Sequence, residues 1–324
     1  MLTQKPAVAS MTASGTRPPD ANLVCYFDGE FVPLAEARIP VMTHGFLYGT
    51  AVFEGIRAYW NPNEQQLFVF KLPEHYERML NSCKVLKLKV GHDVKELCAL
   101  TVDLLRRNQP KEDSYIRPIA YVRSEGLTPK LVGYDTGFAI YTLPLGDYID
   151  ASGGLKVGFS SWRRISDNSI PARCKVSGGY VNSALAKTEA LEQGYDEALL
   201  LTQDGFLSEG SAENIFLIRD GVLVTPDLSQ DILEGITRNA LISLCRDELG
   251  FPVVERQVGR TEVYVAEEVF LCGTGAQVSP VVEVDRRPIG TGKIGPLTAR
   301  IQQLYFDVVR GRHPKYRHWC TPVY

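Results

Sequence analysis

The feature that most constrains the fold is a core-poor stretch near the middle of the chain, GDYIDASGG at residues 146–154. It contains three glycines and few side chains that would enter a core. Glycine loses more conformational freedom on folding than any other residue, so such a run is typical of a linker. The chain, at 324 residues, also exceeds the size that one core usually serves. We therefore predict a linker at residues 147–155 between an N-terminal domain, residues 23–146, and a larger C-terminal domain, residues 156–324.

Strand patterns dominate the N-terminal half. Residues 23–32 alternate around an Asp-Gly turn as a hairpin, and residues 51–60 read as one strand. Two helices follow. Pro73 suits the first turn of one, and Asp93 with Glu96 three residues later predicts a capping box for the other. Two such helices can cover one face of an antiparallel sheet.

The C-terminal half alternates between strands and helices. A strand begins at Leu155, and a helix ends at Gly194. Short strands joined by Asp-Gly turns follow within residues 197–224. Further helices cover residues 236–249 and 296–310. Together the two halves predict the α+β class with two domains.

Composition and charge narrow the possible functions. A net charge of -3 gives no reason to expect nucleic acid, and no apolar run approaches the roughly 20 residues of a membrane span. The seven cysteines are scattered without a CxxC pair, which favours a reducing compartment and a cytoplasmic protein. Residues 1–22 are rich in Ala, Ser, Thr and Pro and predict a disordered tail, with organelle targeting as the alternative.

Two further patterns resemble binding motifs but do not predict a nucleotide or metal site. GTGKIG at residues 290–295 matches the dinucleotide-binding GxGxxG, but too little chain follows for the second strand and ribose-binding acid of that motif. His313, His318 and Cys320 lack a fourth ligand at zinc-like spacing. We therefore predict no metal and a solvated C-terminus.

One lysine in the C-terminal half stands ahead of a flexible turn. Lys175 precedes Ser-Gly-Gly at residues 177–179, after which apolar residues recur at helical spacing. The two glycines would let a flat ligand approach the lysine closely. The alternative is an exposed surface lysine, which is the commoner situation. Lys175 is therefore a candidate for holding a cofactor.

Two turns are candidates for binding an anion. Gly235 is followed by a helix, so the amides of Ile236 and Thr237 and the Thr237 hydroxyl face outward at its positive end, the alternative being a plain threonine in a first turn. Residues 272–276, with Thr274 at their centre, follow a strand and offer a second group of backbone amides. One phosphate bound by both turns beside a recessed lysine suggests pyridoxal phosphate more than a nucleotide.

Seven motifs are spread along the chain: YGTAVFEGIR at 48–57, EHYER at 74–78, YIRP at 115–118, KVSGGYVNSALAKTE at 175–189, SEGSAEN at 208–214, GITR at 235–238 and GT at 273–274. Together, in this order, they resemble the fold type IV pyridoxal-phosphate aminotransferases of the branched-chain amino acid group. The resemblance runs from about Tyr26 to the C-terminus. D-amino acid transaminases and aminodeoxychorismate lyase share the fold and part of the pattern, so the motifs are more specific for cofactor than for substrate.

The resemblance implies a cofactor role for several motif residues. Lys175 would hold pyridoxal 5'-phosphate covalently and, once released, move the proton from the substrate Cα. Glu209 would keep the pyridine nitrogen protonated so that the ring accepts electrons. Arg78 would bind the phosphate. Further contacts would come from Tyr180 at the phenolate, from Ile236, Thr237 and Thr274 at the phosphate, and from Glu213 in support of these groups.

The substrate pocket is also implied by the resemblance. Phe53 and Tyr115 would line an apolar slot for a branched side chain, with core packing as the alternative. Arg117 would pair with the distal carboxylate of glutamate, and Arg57 is the second choice for that cation. Alternate residues of a strand share a face, so Tyr115 and Arg117 should point into one cavity. The remaining substrate candidates are Tyr48, Tyr148, Gly275 and Ala276.

The sequence thus predicts an aminotransferase that moves the amino group of branched-chain L-amino acids to 2-oxoglutarate. Its partners would be small amino acids, 2-oxo acids and a second copy of the chain, because family members complete each site with residues of a partner subunit. Tyr48 lies in the N-terminal loop that would cross. The alternatives are the same fold acting on D-amino acids, aromatic amino acids or another amine, and a cofactor-free binding protein.

Overall fold

The computed structural model describes residues 22–146 and 151–324. Its helices are α1 (His44–Tyr48), α2 (Leu72–Val85), α3 (Val94–Asn108), α4 (Tyr180–Glu192), α5 (Ile236–Asp247), α6 (Arg260–Tyr264) and α7 (Pro296–Val309). Its strands are β1 (Val24–Phe27), β2 (Glu30–Pro33), β3 (Ala51–Phe53), β4 (Ile56–Asn61), β5 (Gln66–Phe70), β6 (Ser114–Val122), β7 (Thr136–Pro144), β8 (Leu155–Arg163), β9 (Glu197–Leu201), β10 (Leu207–Gly210), β11 (Asn214–Arg219), β12 (Val222–Thr225), β13 (Val253–Glu255), β14 (Glu268–Gly273), β15 (Gln277–Val284), β16 (Arg287–Pro288) and β17 (Cys320–Pro322). Short 3-10 helices lie at Leu34–Glu36, Ser177–Gly179 and Pro314–Trp319.

Most elements follow the sequence patterns. The predicted hairpin is β1 with β2, and the capping box of Asp93 and Glu96 is in place at the start of α3. The single strand predicted at residues 51–60 is two strands, β3 and β4. Mixed helices and sheets confirm the α+β class. Residues 1–21 of the predicted tail and 147–150 of the predicted linker lie outside the described residues.

The first sheet has, among the described residues, eight strands in the order β17-β5-β4-β6-β7-β1-β2, with β3 also paired to β6. Helices α2 and α3 cover it, and Tyr76 and Leu104 are fully buried in the shared core. The C-terminal strand β17 runs antiparallel to β5, which buries Cys320 and Val323. The prediction of a solvated C-terminus is therefore wrong, because a three-residue edge strand leaves no periodic signal in the sequence.

The second sheet has nine described strands in the order β10-β9-β8-β15-β14-β11-β12-β13, with β16 on β15. Strand β8 runs parallel to both β9 and β15. Helices α5 and α7 contribute to a core in which the rings of Phe216 and Phe270 stack with their centres 5.0 Å apart. This core also includes Tyr59 and Phe70 of the first sheet, so the two sheets share one aromatic cluster.

One crossing of the chain positions the site. Between β8 and α4 the chain leaves the second sheet and forms an isolated antiparallel bridge from Val176 to Val52, in β3 of the first sheet. Residue 175 is therefore carried to the junction of the two sheets, where the starts of α4 and α5 also meet.

Candidate active site

A cavity of about 600 Å³ lies where the two sheets meet. The residues predicted from the sequence that line it are Phe53, Arg78, Tyr115, Arg117, Lys175, Tyr180, Glu209, Glu213, Ile236, Thr237, Thr274, Gly275 and Ala276. Among the described candidates, Tyr48 and Arg57 are outside the lining. Tyr148 lies outside the described residues.

Lys175 extends its side chain into this cavity. Its Nζ donates a hydrogen bond to Tyr180 Oη at 2.7 Å and lies 5.2 Å from the centre of the Phe53 ring. Tyr180 is the first residue of α4, which begins directly after the Ser177–Gly179 turn. The amine therefore faces a phenol and an aromatic ring inside the cavity, unlike that of an exposed surface lysine.

Glu209, on β10, presents a buried carboxylate to the same cavity. Its Oε1 accepts from Arg164 Nη2 at 2.8 Å, and its Oε2 accepts from Asn214 Nδ2 at 2.9 Å and from the Leu233 amide at 3.2 Å. Burial raises the pKa of the Glu209 carboxyl, while the charge of Arg164 and the Leu233 amide offset part of that rise. The carboxylate is thus fixed in place by three donors before any ligand binds.

Arg78, on α2, is held by a buried ion pair. Its Nε and Nη2 donate to the two oxygens of Glu54 at 2.7 and 2.8 Å, and its Nη1 donates to the Glu234 carbonyl at 2.8 Å. Burial would raise the pKa of Glu54, but the charge of Arg78 and the hydrogen bond from His75 outweigh it and hold that pKa well below its usual range. A guanidinium has five N–H donors, and three are engaged here, so two remain for a ligand.

The start of α5 lines the cavity. Its N-cap residue, Gly235, supplies no side-chain cap. The amides of Ile236 and Thr237 therefore lack partners within the helix. Arg78 is hydrogen-bonded to the residue before Gly235, so the helix start and the guanidinium are adjacent. Together with Thr274, which lines the cavity from the turn between β14 and β15, they can bind one phosphate-sized anion.

Tyr115 and Arg117, on β6, both line the cavity, as the alternation of a strand predicts. The Nε of Arg117 donates to Tyr115 Oη at 3.1 Å, and its guanidinium lies 4.4 Å from the centre of the Phe53 ring. Tyr141 lies opposite Arg117 on β7 and also lines the cavity. This part of the cavity therefore combines aromatic walls with one cation.

Arg57 and Tyr48 have other contacts. The guanidinium of Arg57 is buried and donates to three backbone carbonyls, that of Gly275 at 3.1 Å among them. It therefore ties β4 to the turn that lines the cavity instead of facing a ligand. Tyr48, at the end of α1, is 42% exposed, and its Oη donates to the Leu127 carbonyl at 2.7 Å.

Glu213 lines the cavity near a second buried acid, Glu197. Glu197 accepts a hydrogen bond from Lys187 Nζ at 2.6 Å. Burial and the charge of Glu197 raise the pKa of the Glu213 carboxyl to about 8. The Glu213 carboxyl therefore holds its proton to a higher pH than an exposed glutamate does.

Several of these residues were not predicted from the sequence, and four of them are the charged or titratable partners Glu54, His75, Arg164 and Glu197. Glu54 and His75 each lie inside a quoted motif, so their place in the motif was a usable signal. Arg164 and Glu197 lie outside every motif. They are brought to the site by the parallel pairing of β8 with β9, which no local pattern predicts.

The chain is similar in sequence to proteins of a known family. The profile of the family described as Amino-transferase class IV matches residues 51–284. A relative from Aquifex aeolicus (strain VF5), named probable branched-chain-amino-acid aminotransferase, is 53% identical over 299 residues, which is 92% of this chain and 96% of the relative.

Solved structures give the same result. A branched-chain aminotransferase from Thermoproteus uzoniensis, solved with norvaline, superposes with a TM-score of 0.89 at 42% identity, over 93% of this chain and 99% of the other. A branched-chain amino acid aminotransferase from Thermobaculum terrenum, solved in its PLP form, gives 0.90 at 38% identity, over 94% and 100%. These matches confirm the resemblance seen in the motifs, and the chain belongs to the class IV aminotransferases.

Proposed function

We propose that this protein is a pyridoxal-phosphate-dependent transaminase that moves the amino group of branched-chain L-amino acids to 2-oxoglutarate. The family membership and the names of the relatives support this activity. The observation that carries the proposal is the placement of Lys175 Nζ, 2.7 Å from Tyr180 Oη, in a cavity that also holds a buried carboxylate and an anion-binding helix start.

The donors at one end of the cavity fit pyridoxal 5'-phosphate. Arg78, with two unengaged N–H groups, and the amides at the start of α5 suit the phosphate. The buried carboxylate of Glu209 suits a protonated ring nitrogen, and Tyr180 suits the phenolate oxygen. We name the region of Arg78, Glu209 and the start of α5 the cofactor end, and the region of Phe53, Tyr115 and Arg117 the substrate end.

The residues at the cofactor end have different roles in proton transfer. The bound cofactor supplies an electron sink for the negative charge that develops at the substrate Cα. Lys175 Nζ would hold the cofactor and, as a free amine, would take the proton from Cα. The 2.7 Å hydrogen bond to Tyr180 Oη orients that amine. Glu209, fixed by Arg164, would keep a proton on the ring nitrogen.

The substrate end suits two kinds of side chain. The rings of Phe53 and Tyr115 offer apolar surface to a leucine, isoleucine or valine side chain. The guanidinium of Arg117, over the Phe53 ring, offers a charge to the distal carboxylate of glutamate or 2-oxoglutarate. The small residues Gly275 and Ala276 complete this wall. One pocket then serves both half-reactions.

We also propose a homodimer in which Tyr48 reaches the cavity of the other copy. Large apolar side chains are exposed around α1, including Val41 at 77%, Phe46 at 67% and Leu127 at 71%. A surface of this kind is typical of a protein interface. Light scattering that finds a fully active monomer would reject this assembly.

The proposal also includes a cellular location and a domain boundary. We place the enzyme in the cytoplasm, which its seven free cysteines support. Among the described residues, no helix is both long and apolar enough to cross a membrane. We divide the chain into two domains at residues 147–155, with β17 returning to the first sheet.

Borohydride reduction with peptide mapping tests the cofactor site. The reagent fixes the cofactor on the lysine that carries it, and we expect the tag on Lys175. Lys187 also lines the cavity, but its Nζ is bonded to Glu197 and to the Asp196 carbonyl. A tag on Lys187, or a colourless protein without cofactor, would contradict the proposal.

A panel of amino donors with 2-oxoglutarate tests the substrate. We expect L-leucine, L-isoleucine and L-valine to be the fastest donors, with Lys175→Ala as the inactive control. Faster turnover of D-alanine or of L-phenylalanine would instead assign the fold to D-amino acids or to aromatic amino acids.

A further inference from the structure

The segment that carries Lys175 is bonded to the first sheet. The Phe53 amide donates to the Lys175 carbonyl at 3.1 Å, and one antiparallel bridge lies beside this bond. Farther along, the Gly178 amide donates to the Gly49 carbonyl at 3.1 Å. Residues 175–178, which we call the lysine segment, therefore pair with one edge of β3. The other edge of β3 pairs with β6. Because Phe53 belongs to this ladder, the ladder also sets the lysine against the aromatic wall of the cavity.

Gly49 and Gly178 are in direct backbone contact. Gly49 ends α1 in the left-handed conformation, with a φ of +65°. A Cβ added at Gly49 would lie 2.7 Å from the Cα and 2.9 Å from the N of Gly178, closer than real Cβ atoms approach. Both neighbouring atoms belong to the backbone, so no change of rotamer relieves the overlap. Any side chain at position 49 must push the two backbones apart, so the seating of the lysine segment on β3 changes.

The contact lies between the two functional groups of the segment. Gly178 follows Lys175 by three residues and precedes Tyr180 by two. A shift at Gly178 therefore moves both ends of the 2.7 Å hydrogen bond between Lys175 Nζ and Tyr180 Oη. We propose that Gly49 is a positioning residue for Lys175, because its missing side chain lets the lysine segment seat against β3. The inference rests on the proposed function, in which Lys175 carries the cofactor.

Gly49→Ala tests the contact, and Gly250→Ala is the matched control. Gly250 has a φ of +68°, and a Cβ there would meet nothing within 4 Å. Both variants force alanine into the same left-handed conformation, so the difference between them isolates the overlap with Gly178. Circular dichroism and thermal denaturation establish that each variant is folded.

Two readouts report on the lysine itself. In the cofactor-free protein, competitive acylation with peptide mapping measures the reactivity of Lys175, with Lys187 as the internal standard. With cofactor added, borohydride trapping measures the rate of covalent attachment. We expect Gly49→Ala to slow attachment by about a hundredfold, the scale of a ~1 Å misplacement. We expect Gly250→Ala to stay within about twofold of wild type, as for a change remote from the site.

A milder variant covers the case in which Gly49→Ala does not fold. A Cβ at Gly178 would lie 3.3 Å from the Gly49 carbonyl oxygen, a tight contact that a small shift relieves. Gly178→Ala should slow attachment in the same direction, by about tenfold. Equal Lys175 reactivity in Gly49→Ala and Gly250→Ala, or in Gly178→Ala and wild type, would overturn the inference. If wild-type protein is not tagged at Lys175, the proposed function fails, while the acylation rates still test the positioning.

Discussion

At the cofactor end of the cavity the guanidinium of Arg78 is paired with a carboxylate, whereas at the substrate end Arg117 has aromatic neighbours. Arg78 contacts both oxygens of Glu54, which is fully buried. Among the described residues, the hydrogen bonds of Arg117 go to Tyr115 alone, and its charge lies over the Phe53 ring. The charge of Arg78 is neutralised by Glu54, whereas the charge of Arg117 remains available for a ligand.

The difference matches the residence times of the proposed ligands. A cofactor phosphate stays bound through many turnovers, so its site can be built from a fixed ion pair and spare N–H groups. A substrate carboxylate leaves in every cycle, and a buried cation without an anion is unfavourable in the interval. The rings around Arg117 partly replace the missing anion. A pocket for both leucine and glutamate therefore benefits from a cation stabilised by rings.

The largest expected effect tests the fixed charge at the cofactor end. Glu209→Gln should leave the cofactor bound but slow proton transfer by a factor on the order of 10³, because a neutral amide stabilises the ring cation less than a carboxylate does. Single-turnover absorbance measurements with leucine follow this step. The control is Glu213→Gln, a change at a neighbouring acid whose pKa is already raised to about 8. Equal losses in the two variants would mean that Glu209 has no special role.

The next effect concerns the ion pair itself. Glu54→Gln leaves the charge of Arg78 without its partner, and we expect the free energy of unfolding of the cofactor-free protein to fall by about 3 kcal/mol. Inorganic phosphate should restore part of this loss, because its negative charge can pair with the guanidinium that Glu54 no longer neutralises. Urea denaturation with and without phosphate measures both changes.

The control for this pair is an exposed one. Glu64 pairs with Arg317, and both side chains are more than a third exposed. Glu64→Gln should change the free energy of unfolding by less than about 0.5 kcal/mol. A Glu54→Gln variant as stable as Glu64→Gln would mean that the charge of Arg78 does not depend on Glu54 for its stability.

A smaller effect is expected at the substrate end. Arg117→Leu should slow the half-reaction with 2-oxoglutarate by about a hundredfold, since it deletes the partner of a desolvated carboxylate. The half-reaction with leucine needs only the apolar walls and should change by no more than a few-fold. Arg117→Lys keeps the charge without the planar fork and should lie between the two. Equal losses in both half-reactions would show that Arg117 is structural.

Predicting the fold from the sequence succeeded where the signal lies in consecutive residues. The capping box of α3 and the hairpin of β1 and β2 are both of this kind. Strand β15 was missed because Pro280 interrupts its pattern, and proline argues against a strand within a sheet. Strand β17 was missed because its partner, β5, is about 250 residues away and its own three residues carry no pattern.

The site shows the same division. Lys175, Arg78 and Glu209 lie in motifs, and all three line one cavity. The charge partner of Glu209 was harder to predict. Arg164 lies next to Glu209 because β8 pairs with β9 in the second sheet, and no local pattern predicts that pairing. Arg57 shows the converse, since a sequence cannot distinguish a guanidinium that faces a ligand from one bonded to backbone carbonyls.

The smallest expected effect concerns the Glu213 carboxyl, whose ionisation is disfavoured in the folded protein. Glu213 has a pKa of about 8 in the folded protein, against a usual value of 4.5, because of burial and the charge of Glu197. Between these two values the folded chain holds one more proton than the unfolded chain, so the free energy of unfolding falls as the pH rises. The stabilisation present below pH 4.5 is therefore lost by about pH 8. Glu213→Gln removes this titration and should gain on wild type by about 1 kcal/mol per pH unit between pH 6 and 7.5. Urea denaturation of the cofactor-free proteins across this range measures the difference, and parallel curves for the two proteins would mean that Glu213 is already ionised.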